Sequence, residues 1–402
     1  MRLLIADEMD LGPFEELPLL GVEVTYAPEL EHEALAKALE GVNILVVRST
    51  TVGEEAIASA TELDLIVSAG AEVSHIDLAA ASARGIYVSN CRGKNASAVA
   101  ELVFALILGL DRMLVDATAD LRAGQWDATR YLRAPGIEGR RIGIAGLGAV
   151  GQRVLACARA FGMVPHVWSR SVTPGQAQRL GVGYCASLEE LAARSDVLSV
   201  HLSLRADTRG RIDHAVLEAM PDGAMLIHTA HPEILSFEAL REMIPKKRLR
   251  VGLDVFPVEP KAPTSEFFEE ALAKGLVYAT PHIAGSTKRA ELAVAREVCR
   301  IVRAYVTEGD APNVLNVAHN TPARFIIVLR MLDRVGVLAN ALNVIKRHGI
   351  NVEEIANDVF EGARAACTKL RVSGRPTEAC LKEITAFGEV LHVEVLQLPN
   401  LA

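Results

Sequence analysis

The chain has 402 residues, too many for one hydrophobic core, so two or three domains are expected. Hydrophobic residues make up 50% and charged residues 23%, an ordinary globular profile, and the net charge of −8 gives no attraction to nucleic acid. No apolar run approaches the ~20 residues of a membrane span, and the six cysteines lack any C-x-x-C pairing, which fits free thiols in a reducing cytoplasm and no metal site.

Read in order, the first ninety or so residues alternate β-like and helix-like runs. Strands are predicted over Leu3–Ala6, Val22–Tyr26, Ile44–Val47, Leu65–Val67 and Ile86–Val88. Helices are predicted over Glu31–Glu40, Gly53–Ala60 and Ile76–Arg84. The opening MRLLIADEMD meets an acidic cluster rather than a cleavage site, so no signal peptide is expected. A long helix is predicted over about 95–123. Then comes a second series, with strands over Arg141–Ala145, Val164–Trp168, Val197–His201, Ala224–His228, Leu249–Leu253 and Leu276–Ala279. Such alternation argues for parallel sheets covered by helices.

A helix over Thr287–Val306 closes the series, and Asp310, Pro312, Asn313, Asn316 and Thr321-Pro322 mark a break. The tail is predicted as strand Arg324–Leu329, helix Val335–His348, a hairpin pair Asn351–Phe360 and Arg364–Val372, helix Thr377–Ala386 and strand Val390–Leu396. This βαββαβ order is ferredoxin-like. The expected fold class is α/β, with two doubly wound, Rossmann-like parallel-sheet domains and a small ferredoxin-like module.

The strongest single signal is Arg140–Gly151, RRIGIAGLGAVG. A strand over Ile142–Ala145 runs into Gly146-Leu-Gly148-Ala149-Val150-Gly151 and a helix-prone segment follows. That context makes G-x-G-x-x-G a dinucleotide-binding signal. Gly146 allows the tight turn, Gly148 lets the backbone approach a pyrophosphate, and Gly151 lets the helix pack against the strand. The pyrophosphate would rest on the helix N-terminus near Ala149. The bland alternative is a glycine turn with no ligand.

Further segments complete a resemblance. Val47–Thr50 (VRST), Asn90–Glu101 (NCRGKNASAVAE), Asp254–Pro260 (DVFPVEP) and Pro281–Thr287 (PHIAGST) resemble the D-isomer-specific 2-hydroxyacid dehydrogenases, in particular the D-3-phosphoglycerate dehydrogenase branch. The match spans about 1–318. Asp333-Arg-Val-Gly336-Val-Leu resembles an ACT domain, a small regulatory module. The resemblance implies a discontinuous substrate domain over 1–95 and 286–318, a dinucleotide domain over 96–285 and an ACT-like domain over 321–402. It implies cofactor contacts from Gly146, Gly148, Ala149, Val150, Gly151, Ser169, Arg170, Ala230 and Asp254. Substrate contacts would come from Arg48, Ser49, Gly70, Ala71 and Lys94.

Hydride transfer between a 2-hydroxy acid and a nicotinamide needs a proton moved in step, which suits a histidine. His282 matches the family's acid/base and Glu259 the carboxylate that orients it. The family's third residue, a carboxylate-gripping arginine, is replaced by His231 in His228-Thr-Ala-His231-Pro-Glu. A five-donor fork has become an imidazole. His231 could be protonated and still bind an anion, an arginine such as Arg48, Arg92 or Arg133 could substitute, or the site has changed substrate or lost activity. The substrate loop departs too, reading Ser68-Ala-Gly70-Ala71-Glu72 where the family has two glycines.

No acid stands where one would bind the cofactor ribose; Ser169-Arg170 stands there, so NAD and NADP are both expected. The expected function is an NAD(P)-dependent oxidoreductase, phosphoglycerate dehydrogenase-like, acting on a small anionic 2-hydroxy acid such as 3-phosphoglycerate or a related phosphonate, sulfonate or dicarboxylate. The competing hypothesis is a catalytically decayed homologue serving as a nucleotide- and amino-acid-binding sensor. The resemblance further implies a homodimer or homotetramer, with Asp333, Gly336 and Asn340 where ACT domains bind amino-acid effectors. No nucleic-acid or membrane partner is expected.

Overall fold

Residues 1–30, 32–260, 264–267, 277–318 and 322–398 are described by a computed structural model. They form two units, Met1–Asn316 and Val317–Ala402. The first unit holds two parallel sheets. Strands β1 (Arg2–Ile5), β2 (Glu23–Tyr26), β3 (Ile44–Val47), β4 (Leu65–Ser68) and β5 (Tyr87–Asn90) lie in the order β2-β1-β3-β4-β5. Every residue of β3 and β4 is buried. That is why these strands read as unbroken apolar runs: helices cover both faces of a parallel sheet.

The second sheet has β6 (Arg141–Ala145), β7 (Val164–Trp168), β8 (Gly183–Tyr184), β9 (Val197–Val200), β10 (Met225–His228), β11 (Arg250–Leu253) and β12 (Val277–Ala279), ordered β12-β11-β10-β9-β6-β7-β8. All its pairings are parallel. The two-residue β8 escapes sequence reading because it is too short to show a period. Leu276, the predicted start of the last strand, lies outside the described residues.

Two helices link the two sheets. The helix Ala96–Arg112 leaves β5 and packs its Val99, Val103, Phe104 and Ile107 into the core of the second sheet. The single helix predicted to run to about 123 is corrected here. It breaks at Met113, which takes a left-handed φ of 49°, and a second helix, Leu114–Arg122, buries none of its residues. The apolar pattern carries across the break, but the core stops at Leu110.

The helix Lys288–Glu308 returns to the first sheet. Thr287 caps its start by accepting from the Ala290 amide, and Gly309 ends it at a φ of 72°. Its Ala295, Val298, Ile301 and Val302 pack against Leu3, Ile5, Ile44, Val46 and Leu65. Each fully buried aliphatic side chain here stabilises by roughly 1.5–3 kcal/mol. A 3-10 helix over Gly12–Leu20, absent from the sequence reading, contributes Phe14 and Leu17 to the same core.

The second unit is one antiparallel sheet, ordered β14-β15-β13-β16, from β13 (Phe325–Leu332), β14 (Val352–Val359), β15 (Ala365–Val372) and β16 (Val390–Gln397). With helices Val337–Arg347 and Glu378–Thr385 the order is βαββαβ. The hairpin registers Val359 against Ala366, and Ile327, Leu329, Ala341, Val344 and Leu370 lie at the core.

Candidate active site

In open parallel sheets, ligands bind outside the carboxyl ends of the strands where the strand order reverses. The first sheet reverses between β1 and β3, the second between β6 and β9. A cleft of ≈ 970 Å³ is lined from both points: Glu8, Met9, Asp10 and Arg48 from the first sheet, and Gly148–Val150 with His201–Ser203 from the second. The same cleft takes residues after β4, β5, β10 and β11, and the 282–286 turn.

His282 and Glu259 meet in it. They stand 23 residues apart, but β11 and β12 pair side by side, so the loops that follow them converge. The Glu259 Oε2 lies 2.6 Å from His282 Nδ1, and its Oε1 accepts the Phe256 amide at 2.8 Å. The carboxylate is therefore fixed by the backbone, and it fixes the ring with Nε2 left free. His282 itself adopts a left-handed φ of 53°.

Asp254 holds that unusual turn. Its carboxylate is fully buried and accepts the Thr280 hydroxyl at 2.6 Å, the Ile283 amide at 2.9 Å and the Ala284 amide at 2.8 Å. Asp254 also lines the cleft in which the sequence reading gives it a cofactor contact, and its carboxylate positions the turn that carries His282.

The glycine turn fits a dinucleotide. Gly146 has a φ of 95°, and a Cβ there would sit 2.6 Å from the His201 carbonyl oxygen. A Cβ on Gly151 would sit 2.1 Å from the Gly146 carbonyl oxygen, so helix Ala149–Ala160 packs against the turn as only glycine permits. Around Gly148 nothing lies within 4 Å of such a Cβ. The turn is closed at both ends and open toward the cleft in the middle, the shape a pyrophosphate needs at a helix N-terminus. Gly148, Ala149, Val150 and Ala230 all line the cleft. Ser169 and Arg170 follow β7, whose Trp168 carbonyl accepts the Gly146 amide at 2.8 Å. Arg170 is ion-paired with Asp207, and Ser169 shares a hydrogen bond with Ser171.

The remaining predicted substrate contacts divide. Arg48, Gly70 and Ala71 line the cleft, as does Arg92, whereas Arg133 does not. Arg48 donates to Ser286 Oγ at 3.2 Å. Ser49 is turned away, its hydroxyl donating to Asp7 at 2.8 Å, while Asp7 also accepts the Arg48 and Thr50 amides. Lys94 is not among the residues that line the cleft and forms an ion pair. It lies 2.9 Å from the buried Glu297, whose bonds to Arg300, Lys94 and Asn313 hold its carboxyl down to about 2.

His231 lines the cleft and caps a short 3-10 turn, its Nδ1 accepting the Glu233 amide at 3.4 Å. Burial lowers its pKa, against the pull of the Glu72 carboxylate. That shift is toward the neutral form of the ring.

Behind it His228 is fully buried at the end of β10, its Nε2 donating to the His231 carbonyl at 3.1 Å. Burial pushes His228 down to about 4 and His201 down to about 3. Both are neutral in the folded chain but titrate near 6.5 when unfolded. Between those values the unfolded state binds more protons, so stability falls as pH falls from about 6.5 toward 4, by ~1.4 kcal/mol per pH unit for each histidine. Urea midpoints measured from pH 7.5 to 5 should follow that slope, and His228→Gln should flatten it.

Several lining residues escaped the sequence reading. Glu8, Met9 and Asp10, Tyr26 and His201 were not singled out, and neither was Thr229, whose hydroxyl is buried without a hydrogen-bond partner among the described residues. The available signal for the acids was position: they follow the first strand of a doubly wound sheet, where ligands bind.

The D-isomer specific 2-hydroxyacid dehydrogenase NAD-binding domain matches residues 104–284. The chain is 36% identical over 280 residues to the hydroxypyruvate reductase of Thermotoga maritima, covering 69% of this chain and 89% of that protein. It is 33% identical over 325 residues to the D-3-phosphoglycerate dehydrogenase of Mycobacterium tuberculosis, covering 80% of this chain but 60% of that one. The chain therefore spans about 60% of the length of such relatives. The crystal structure of the TT0316 protein from Thermus thermophilus superposes with a TM-score of 0.69 at 31% identity, over 78% of this chain and 100% of that one. The chain belongs to the D-isomer-specific 2-hydroxyacid dehydrogenase family and carries its NAD-binding domain.

Proposed function

We propose that the chain is an NAD(P)-dependent oxidoreductase that interconverts a small 2-hydroxy acid and its 2-oxo acid through an altered carboxylate site. The observation that carries this is the 2.6 Å contact of Glu259 with His282 in the cleft that the open Gly148 turn also lines. The bound nicotinamide supplies or accepts the hydride. In the reducing direction His282 Nε2 gives its proton to the carbonyl oxygen as the carbon gains the hydride; in the other direction it takes the proton back. Glu259 steadies the imidazolium that forms. With His231 held toward neutrality, Arg48 and Arg92 are the guanidinium groups left in the cleft to meet the substrate carboxylate.

Both cofactors are expected to bind, and Arg170, released from Asp207, would meet a 2′-phosphate. The test is oxidation of NADH and NADPH with a panel of 2-oxo acids. Turnover is expected with both, and Arg170→Ala should weaken the use of NADPH while leaving that of NADH near wild type. Cofactor binding by calorimetry with no turnover on any acid would instead favour the sensor reading, which the replacement of arginine by His231 motivates.

Pairing into a homodimer is proposed through the exposed apolar segment with Leu114, Leu121, Trp126 and Leu132, each more than half exposed. The C-terminal βαββαβ unit is proposed as an ACT-like module. An amino-acid effector would bind near Asp333, Gly336 and Asn340, where Gly336 opens the helix Val337–Arg347 at a φ of 89°. Among the described residues no helix is long and apolar enough to cross a membrane.

A further inference from the structure

The cleft has a second crevice besides the one at the glycine turn. It lies at the reversal between β1 and β3 of the first sheet. The sheet order β2-β1-β3-β4-β5 sets a sequence of side chains across it. Tyr26 ends the edge strand β2, Glu8 and Asp10 follow β1, and Arg48 follows β3. Glu72 and Arg92 come after β4 and β5, on the side from which helix Ala96–Arg112 leads into the second sheet.

The charges along that line are unbalanced. Among the described residues Glu8, Asp10 and Glu72 have no ion-pair partner, though Asp10 also accepts the Gly12 amide at 2.9 Å. Other acids of the cleft are committed: Glu259 to His282 and Glu233 to Arg209. Arg48 is shared with Glu291 at 4.0 Å, and Arg92 has no ion-pair partner among the described residues. A dianionic substrate would extend one of its charges toward bare carboxylates. The distal end, where two acids that follow β1 share the cleft with Tyr26 at the end of the neighbouring β2, a residue 40% exposed, has the composition that attracts a cation, since a ring face adds to carboxylate attraction.

We infer, resting on the 2-oxo acid reading above, that the substrate is zwitterionic. Its carboxylate faces Arg48 and Arg92, and its tail ends in an ammonium or guanidinium held by Glu8, Asp10 and Tyr26. Glu8 and Asp10 are then the residues that set specificity. Like-charge juxtaposition rejects the dicarboxylates and phosphorylated acids that an arginine-rich pocket would choose.

The test compares kcat/KM of the full chain for three 2-oxo acids of matched length, ending in a guanidinium, a methyl or a carboxylate. The guanidinium acid should lead the methyl acid by about tenfold or more, and the carboxylate acid should be poorest. In Glu8→Gln/Asp10→Asn the guanidinium-to-methyl ratio should fall about tenfold, a selectivity change that partial unfolding would not produce. A best rate with the methyl or carboxylate acid overturns the zwitterion assignment and leaves the dehydrogenase reading standing. No turnover on all three, with cofactor still bound by calorimetry, fells both. A double variant that keeps the wild-type ratio removes Glu8 and Asp10 as the source of the preference and overturns the assignment.

Discussion

His282→Ala lowers kcat by ~10²–10⁴-fold, the usual worth of a positioned proton donor, while the Kd for NADH stays near the wild-type value. The two effects separate because the ring contacts Glu259 and the turn around it, whereas the dinucleotide would lie on the glycine turn after β6. Glu259→Gln should lose less. The amide can still accept from the ring and hold its orientation, but the negative charge that steadies the imidazolium during proton transfer is gone. Single-turnover oxidation of NADH in both variants checks this. A His282→Ala enzyme within a few-fold of wild type would remove the histidine from the chemistry altogether.

Gly151→Ala has the second largest expected effect, and it acts through packing. The added methyl would lie 2.1 Å from the Gly146 carbonyl oxygen and 3.4 Å from Ile144 Cγ2. The nearest atom is backbone and cannot rotate away, so helix and strand must separate. Overpacking of this kind costs ~1–3 kcal/mol. The turn that cradles the pyrophosphate deforms with it, and NADH affinity should fall at least ~tenfold, each ~1.4 kcal/mol of lost contact being a factor of ten. Gly148→Ala is the contrast. Its methyl meets nothing within 4 Å and its φ is −74°, so Tm should hold in the free protein while NADH no longer raises it. Equal Tm losses in both variants would contradict the division of labour among the three glycines.

Much of this was legible in the chain because it is local. The strand–turn–helix at Gly146 to Gly151 is contiguous, and the buried strands announce themselves as apolar runs. The His282–Glu259 pair was reachable only through resemblance, since its closeness depends on β11 and β12 lying side by side. Three of the predicted site residues have structural partners that the sequence does not show, for one reason. Lys94, Ser49 and Asp254 carry polar groups of the expected kind, yet their partners, Glu297, Asp7 and the 280–284 turn, lie 203, 42 and about 30 residues away. No pattern in the sequence says that a lysine is already spent on a buried glutamate. Similarly, the break at Met113 follows from where the core ends, not from any helix-breaking residue.

The helix Lys288–Glu308 has a consequence for synthesis. Its Val298, Ile301 and Val302 cover one face of a sheet whose last strand ends at Asn90. At ~5–20 residues per second, the roughly 200 intervening residues take about 10–40 s to emerge from a ribosome. Throughout that interval Leu3, Ile5, Ile44 and Val46 are left facing water, so the nascent chain invites chaperone capture until its own distant segment arrives to relieve them.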